Sequence, residues 1–185
     1  MQQNTLLLGS WDYWYFAILM TVGAFVHFAF QILGNPYWAG LLFPTNESTF
    51  QHLKMLIFPS AIFFTIQFFA IESGNLGFFL SRFVAVLIGM LGICAFFYTY
   101  SGIIGENYLP LDILSYAFGV AITVLAYTLL DSYAVFDFKY SNALGVFCFY
   151  LLIAISALVT VYPPEIGLFY DPATKSYAPL SAVAK

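Results

Sequence analysis

The sequence predicts an all-α fold: an integral membrane helical bundle with five transmembrane helices and a non-spanning C-terminal tail. Only 8% of the 185 residues are charged, whereas soluble domains carry about 25%, so the chain lacks the polar surface that water requires. Five apolar stretches reach the roughly 20 residues that a helix needs to cross a bilayer. These stretches are continuously apolar rather than alternating with a period of two, which favours helices over the strands of a barrel.

Each predicted span ends at aromatic or helix-breaking residues. The first has Trp11 and Trp14 at one end and Tyr37 and Trp38 at the other, which resembles the aromatic belts at membrane interfaces. The joints "GNPYWAG", "ESGNLG", "SGIIGENYLP", "DSYAVFDFKYSN" and "YPPEIG" contain the Gly, Pro and Asn residues that end helices. The predicted organisation is a single transmembrane domain over residues 1–185, with spans at 13–33, 50–71, 78–100, 110–130 and 143–162 and a tail over 163–185.

Small and polar residues inside the spans predict helix contacts. Ser81, Ala85 and Gly89 form a small-residue stripe at a spacing of four, which favours close helix packing. Gln67 lies deep in the second span and is expected to hydrogen-bond to another helix. Pro59 removes one backbone hydrogen bond from the same span and predicts a kink; such kinks border cavities in some transporters and are simply tolerated in other proteins.

Charge excludes some partners and gives a first orientation. The net charge of -4 gives no electrostatic support for nucleic-acid binding, so the expected partner is the lipid bilayer, with a small solute or ion, a membrane-protein partner or a homo-oligomer left open. Arg82 and Lys139 are assigned to short loops on the N-terminal side. Because short cytoplasmic loops are enriched in cations, the N-terminus is expected to be cytoplasmic.

The segment "FPTNESTFQHLK" is the most polar dozen residues of the chain. Asn46 or Thr45 is expected to cap the second span, with Glu47 in the first turn, where the helix dipole favours a carboxylate. Glu47 and Lys54 would then share one helix face, and Ser48 and His52 the neighbouring face.

The first span carries an ionisable group inside the membrane. His27 is four residues from Gln31, on one stripe of the helix. An intramembrane ionisable residue is a functional candidate, and the alternative is a neutral histidine that hydrogen-bonds to a neighbouring helix.

These segments predict a polar site but no metal centre. His52 and Glu47 are five residues apart, on different faces of one helix, so no self-contained metal site is predicted and no cofactor is identified. A set assembled from several helices (His27, His52, Glu47 and Asp112) is the alternative, although Asp112 after Pro110 also fits an ordinary helix start. The candidate substrate-binding residues are His27, Gln31, Asn46, Glu47, Ser48, His52, Lys54, Asn107, Asp112 and Asp171.

Two segments resemble the motifs of a family of small bacterial multi-pass membrane proteins of unknown function. "NESTFQHLK" is similar to N-E-S-x-W-E-H-x-K, and "PPEIGLFYDPATKSYA" is similar to P-P-H-x-x-L-F-x-D-P-x-T-G-x-Y-G. The chain departs from these patterns at Phe50, Gln51, Glu165, Lys175 and Ala178, which weakens a metal or acid–base role for those positions. The resemblance implies a multi-pass fold in a bacterial inner or plasma membrane, and it implies no activity.

An odd number of spans brings the two motifs to the same side of the membrane. The tail is therefore expected to fold back over the mouth of the bundle, with Leu168 and Phe169 inserted and Asp171 near Lys54 or His52. The alternative is a turn in which Asp171 caps itself.

Three functions follow from this pattern. The first is binding or transport of a small solute or ion, because a histidine inside the span adjoins the polar segment; proton-coupled movement would suit a histidine. The second is a membrane-embedded enzyme acting on a lipid or lipid-linked substrate, with Glu47, His52 and Asp112 as acid–base groups. The third is an accessory subunit of a membrane complex, for which the 21% aromatic content would line partner contacts.

Overall fold

The computed structural model describes residues 9–72 and 74–185, and the elements of this part are helices apart from an isolated bridge between Asp171 and Ser176. A five-residue π-helix, Phe68–Glu72, continues α3, and a short 3-10 helix, Gly167–Phe169, lies in the tail. The α-helices are α1 (Ser10–Ile32), α2 (Tyr37–Leu42), α3 (Thr49–Gln67), α4 (Phe78–Ile104), α5 (Leu109–Ser132), α6 (Ser141–Val161) and α7 (Leu180–Val183).

Five helices of the described chain are long and apolar enough to cross a membrane: α1, α3 with its π-helical continuation, α4, α5 and α6. The predicted all-α fold with five spans is confirmed, and the predicted bounds differ by only a few residues at most ends. The clearest difference is α4, which continues to Ile104. It ends there because Gly105 adopts a left-handed conformation with φ of 89° and its N–H bonds to the carbonyl of Ser101, a common helix stop.

The short helix α2 was missed by the sequence analysis, which treated its surroundings as a plain break. Gly34 and Asn35 both have positive φ and turn the chain after α1, and Pro36 precedes the first residue of α2 in an extended conformation. These residues carry the usual signal for a helix end. That signal does not reveal that a new helix begins two residues after Asn35.

The described residues form two compact units. Unit 1 takes its described residues from Met1–Met20 and Ser60–Phe149, and unit 2 comprises Thr21–Pro59 and Tyr150–Lys185. Helices α1, α3 and α6 each contribute to both units. The single-domain organisation stays a prediction.

Unit 1 is built around aromatic rings. Tyr15 is fully buried and stacks on Phe64 with ring centroids 4.8 Å apart, and its hydroxyl lies 2.7 Å from the hydroxyl of Ser60. Tyr127 packs edge-on against both rings, at 6.0 Å from Tyr15 and 5.7 Å from Phe64. The tyrosines thus add large apolar area while their hydroxyl groups keep hydrogen-bond partners.

An ion pair is buried next to these rings. Arg82 is 4% exposed, and its Nη1 bonds to the Asp131 carboxylate and, at 3.0 Å, to the Ser81 hydroxyl. The guanidinium lies over the rings of Phe78 at 4.0 Å and Tyr127 at 4.8 Å. The sequence analysis was wrong to assign Arg82 to a loop, since it lies in the second turn of α4. A carboxylate and two aromatic faces make this burial tolerable.

Small residues let α4 and α5 approach closely, as the stripe of small residues predicts. Ser81, Ala85 and Gly89 are all buried. A Cβ atom added to Gly119 on α5 would lie 2.9 Å from the carbonyl oxygen of Gly89 and 2.2 Å from Cγ1 of Ile93. The two backbones are therefore too close for a side chain at position 119.

The start of α6 is fastened to the start of α4. The hydroxyl of Ser141 accepts from the N–H of Gly77 at 2.8 Å, and the side-chain oxygen of Asn142 accepts from the N–H of Phe79 at 3.0 Å. These bonds satisfy N–H groups that have no partner within α4.

Unit 2 has a smaller core in which the C-terminal tail takes part. Phe30, Ala39 and Leu180 are buried together, and the ring of Phe169 packs on Phe50 at 4.6 Å. The backbone N–H of Lys185 also donates to the carbonyl of Asn35 at 2.9 Å. The tail therefore folds back onto the region around α2 and the start of α3.

We expect Gly145→Ala to destabilise the protein. A Cβ atom at position 145 would lie 2.3 Å from the backbone nitrogen of Leu80 and 2.4 Å from the carbonyl carbon of Phe79, so the backbone must shift at a cost of about 1–3 kcal/mol. The melting temperature in detergent should fall. Gly102→Ala is the matched control, because nothing lies within 4 Å of its added Cβ, and equal melting temperatures for the two variants would contradict this packing.

The ion pair gives a second expected outcome. Arg82→Gln and Asp131→Asn should each lower stability by about 1.5–3 kcal/mol, the range for a lost hydrogen bond to a charged group. The double variant should lose clearly less than the sum of the two single losses, since each single change strands the other charge. Thermal melts of all four proteins measure this coupling, and strictly additive losses would show that the two side chains act independently.

Candidate functional site

The polar segment before α3 determines the geometry of the candidate site in unit 2. The side-chain oxygen of Asn46 accepts from the N–H of Ser48 at 3.0 Å, and the hydroxyl of Ser48 accepts from the N–H of Gln51 at 3.4 Å. Ser48 therefore occupies the capping position, one residue before α3 begins at Thr49. The prediction that Asn46 or Thr45 is the cap was wrong by two or three residues.

Glu47 consequently lies before the helix and not in its first turn. The helical-face argument, which separated Glu47 from His52 and paired it with Lys54, does not apply to a residue in extended or turn conformation. Glu47 Oε2 lies 3.4 Å from Nε2 of His52, and Glu47 Oε1 lies 3.8 Å from Nε2 of His27. The carboxylate thus faces both histidines of the chain.

The two imidazole rings stack on each other. Their centroids are 5.1 Å apart and their planes differ by 21°. Each of the three side chains offers one ligand atom, and these atoms all lie within 4.8 Å of one another. His27 comes from α1, Glu47 from the segment between α2 and α3, and His52 from the first turn of α3.

The hydrogen bonds of the rings differ. Nδ1 of His52 lies 2.9 Å from the carbonyl oxygen of Ser48, so this nitrogen carries the proton and Nε2 keeps a lone pair directed at Glu47. Nδ1 of His27 is buried and has no hydrogen-bond partner among the described residues. The side chains of His27 and His52 are 22% and 35% exposed, and that of Glu47 is 49% exposed, so the cluster opens to its surroundings through the carboxylate.

The electrostatics keep Glu47 ionised. The hydrogen bond with His52 lowers the pKa of its carboxyl below the ordinary value, burial opposes this shift, and the charges of both histidines when protonated lower the pKa further. The carboxylate therefore remains charged, and able to accept a cation, through the whole neutral range.

The donor set suits a transition-metal ion. Zinc takes imidazole nitrogen and carboxylate oxygen at about 2.0–2.2 Å in tetrahedral geometry, which sets ligand atoms roughly 3.3–3.6 Å apart. The separations of 3.4 and 3.8 Å are close to this range. His27, Glu47 and His52 are thus the residues that could hold such an ion, with a fourth position left open.

Lys54 has a structural environment within unit 2. It is fully buried, and its Nζ donates to the carbonyl oxygens of Gly40 at 2.9 Å and Phe43 at 3.3 Å. These carbonyls lie at the C-terminal end of α2, where acceptors lack helical partners. Lys54 therefore ties the end of α2, and the segment that carries Glu47, to α3.

Asp171 also bonds within its own surroundings. It is 2% exposed and accepts from the N–H of Ala173 at 2.9 Å and from the hydroxyl of Thr174 at 2.6 Å. Its N–H donates to the carbonyl of Ser176. These bonds match the self-capped turn, which was the alternative to a contact with Lys54 or His52.

The remaining predicted residues are not brought to the cluster. Gln31 is exposed on α1. Asn107 and Asp112 belong to unit 1, where Asn107 is exposed and Asp112 accepts a hydrogen bond from the hydroxyl of Tyr100. The assembled set of four candidate ligands is thus reduced to three.

Sequence reasoning missed a second polar region, in unit 1. Asp12, Gln67, Arg82 and Asp131 line one cavity there. The available signal was the presence of Gln67 and Arg82 inside predicted spans, because polar residues within a membrane mark candidate sites.

Comparison with known proteins gives a family and no activity. No curated protein and no solved structure matches the chain. A family model matches residues 1–178, almost the whole sequence, and its description is that of a family of unknown function. The chain therefore belongs to the family of unknown function DUF6512.

Proposed function

We propose that this multi-pass membrane protein binds a transition-metal ion of the zinc class through His27, Glu47 and His52 and carries it across the membrane. The observation that supports the proposal is the convergence of three ligand atoms within 4.8 Å of one another. They come from three separate segments of the chain.

The choice of ion follows from the donor atoms. Magnesium and calcium prefer all-oxygen sites, whereas two imidazole nitrogens and one carboxylate oxygen suit zinc and its neighbours. The hydrogen bond from Nδ1 of His52 to the Ser48 carbonyl is the usual support for a metal-binding histidine, since it fixes the tautomer and the ring orientation.

Transport fits the location of the ligands better than a purely structural metal site. His27 lies in a candidate span, whereas Glu47 lies in the segment before α3. Structural zinc sites are closed by four protein ligands. Three ligands and a half-exposed carboxylate would instead let an ion enter and leave.

The proposal includes a setting in the membrane. The resemblance to a bacterial family supports an inner or plasma membrane. Lys139, in the joint between α5 and α6, supports a cytoplasmic N-terminus by the enrichment of cations in short cytoplasmic loops. Arg82 no longer counts toward that argument, because its charge is buried and paired.

A second candidate is a membrane-embedded metal-dependent enzyme that acts on a lipid or lipid-linked substrate. The open fourth position supports it, because a metal with three protein ligands can activate a water molecule there. The two candidates share the metal and differ in the second step. Proteoliposomes that bind zinc without moving it, together with altered lipids in cells that lack the protein, would favour the enzyme.

The metal site predicts a specific pattern of variants. Zinc titrated into the purified protein in detergent should bind with one ion per chain. Glu47→Gln, His27→Ala and His52→Ala should each weaken binding by more than the roughly 10–100-fold typical of lost outer-shell partners. Isothermal titration calorimetry measures the affinity, and zinc entry into proteoliposomes that contain an indicator should fall in parallel.

Glu165→Gln is the matched control for this series, because it makes the same acid-to-amide change at an exposed residue of the tail. Its affinity should equal that of the wild type. Equal affinity for wild type and Glu47→Gln, with unchanged melting temperatures, would refute the metal site. Binding without flux would refute transport alone.

The site also predicts a pH dependence. Because the pKa of Glu47 is lowered, its ionised form is favoured by folding, and its contribution is lost only as pH falls through that lowered value. Between pH 8 and 5.5 the proton competitors are therefore the imidazoles, with an unperturbed pKa of about 6.5. Zinc affinity should fall below about pH 7, by up to about tenfold per pH unit for each protonated histidine.

Calorimetry across this pH range tests the prediction. An affinity that is flat down to pH 5 and then falls would show that a carboxylate, and neither histidine, limits binding.

A further inference from the structure

A second cavity, in unit 1, has a wall whose polar atoms mostly accept hydrogen bonds. Its volume is about 240 Å³, and it is called the Asp12 cavity below. Asp12 comes from the first turn of α1, Gln67 from the end of α3, and Tyr127, Thr128 and Ser132 from the last turns of α5.

The hydroxyl protons of the wall are already used within the protein. Tyr127 donates to Oδ1 of Asp12 at 2.5 Å, Thr128 to the carbonyl of Val124 at 2.8 Å, and Ser132 to the carbonyl of Thr128 at 2.7 Å. The oxygens of Thr128 and Ser132 keep free lone pairs, and each carboxylate oxygen of Asp12 can accept a further bond. The wall therefore offers mostly acceptors.

Gln67 is the strongest sign that a donor is missing. It is 4% exposed, it lines the cavity, and its Oε1 has no hydrogen-bond partner among the described residues. The hydrogen bond to another helix that the sequence predicts for Gln67 is thus absent for this atom in the described part. A buried amide oxygen without a donor costs about 1–3 kcal/mol, a cost that a bound donor would remove.

The charges of the wall sum to a single negative charge. Asp131 is paired with Arg82. Asp12 accepts hydrogen bonds from Tyr127 and from the N–H of Gly9 at 2.7 Å, and the described residues place no cationic side chain in an ion pair with it. One monovalent cation would neutralise the cavity.

Size and aromatic content point to an organic cation. A volume of about 240 Å³ is several times the roughly 30 Å³ that one water molecule occupies in the liquid, and so exceeds the space of a bare metal ion. Trp11 and Tyr127 also line the cavity, and aromatic rings attract cations through their faces.

We propose that the Asp12 cavity binds a small organic ammonium group, with Asp12 and Gln67 accepting its N–H donors. Both a free primary amine and the ammonium end of a lipid headgroup carry this chemistry. The site is independent of the proposed metal site, so failure of zinc binding leaves it standing.

Ethylammonium chloride is the probe, titrated into the full-length protein in detergent and followed by calorimetry. We expect saturable binding that becomes at least tenfold weaker in Asp12→Asn and in Gln67→Met. Glu106→Gln is the matched control, since Glu106 is an exposed acid that bonds only to the hydroxyl of Tyr108 among the printed contacts of the described chain, and its affinity should not change. Should Asp12→Asn fail to fold, Gln67→Met carries the test alone.

Three results would overturn the proposal: no saturable binding to the wild type, equal binding in both cavity variants, or competition by sodium at equal concentration. Tetramethylammonium should bind weakly because it has no N–H donor. In nanodiscs, weaker ethylammonium binding with phosphatidylethanolamine than with phosphatidylglycerol would identify the lipid headgroup as the source, and equal binding would identify a free amine.

Discussion

Polar groups in a chain with so little charge must find their hydrogen-bond partners inside the protein, because hydrocarbon offers none. This constraint explains the strongest contacts of both units. In unit 1 it pairs Arg82 with Asp131 and places the guanidinium between two rings. In unit 2 it joins the Lys54 ammonium to two backbone carbonyls.

The contact of Lys54 also organises the candidate metal site. A fully buried ammonium is costly unless several acceptors surround it, and the end of α2 supplies Gly40 and Phe43 as acceptors. Glu47 follows Phe43 by four residues, so the bonds that bury Lys54 also hold the segment carrying the carboxylate. Caps by Asn46 and Ser48 then fix where α3 begins. Lys54 thereby acts through the backbone and does not need to contact an ion.

The two candidate sites are the places where this internal pairing is incomplete. Nδ1 of His27 and Oε1 of Gln67 are buried without partners among the described residues, and the carboxylates of Glu47 and Asp12 can each accept more bonds. The chemistry of the two sites differs. Two imidazoles and a carboxylate suit a borderline metal ion, whereas a wall of oxygen acceptors with one net negative charge suits an ammonium.

The amino-acid sequence by itself determined the five apolar helices, since span length depends only on local hydropathy, and it singled out His27, Glu47 and His52 as candidates. Only the tertiary structure brought them together. The sequence gave no sign that α3 begins at Thr49, and two residues of error moved Glu47 from a helix face to a position facing both histidines. Likewise Arg82 and Asp131 are 49 residues apart in the chain. A helix that is apolar on every side does not encode its own rotation, so the pairing of its few polar residues is decided by packing against other helices.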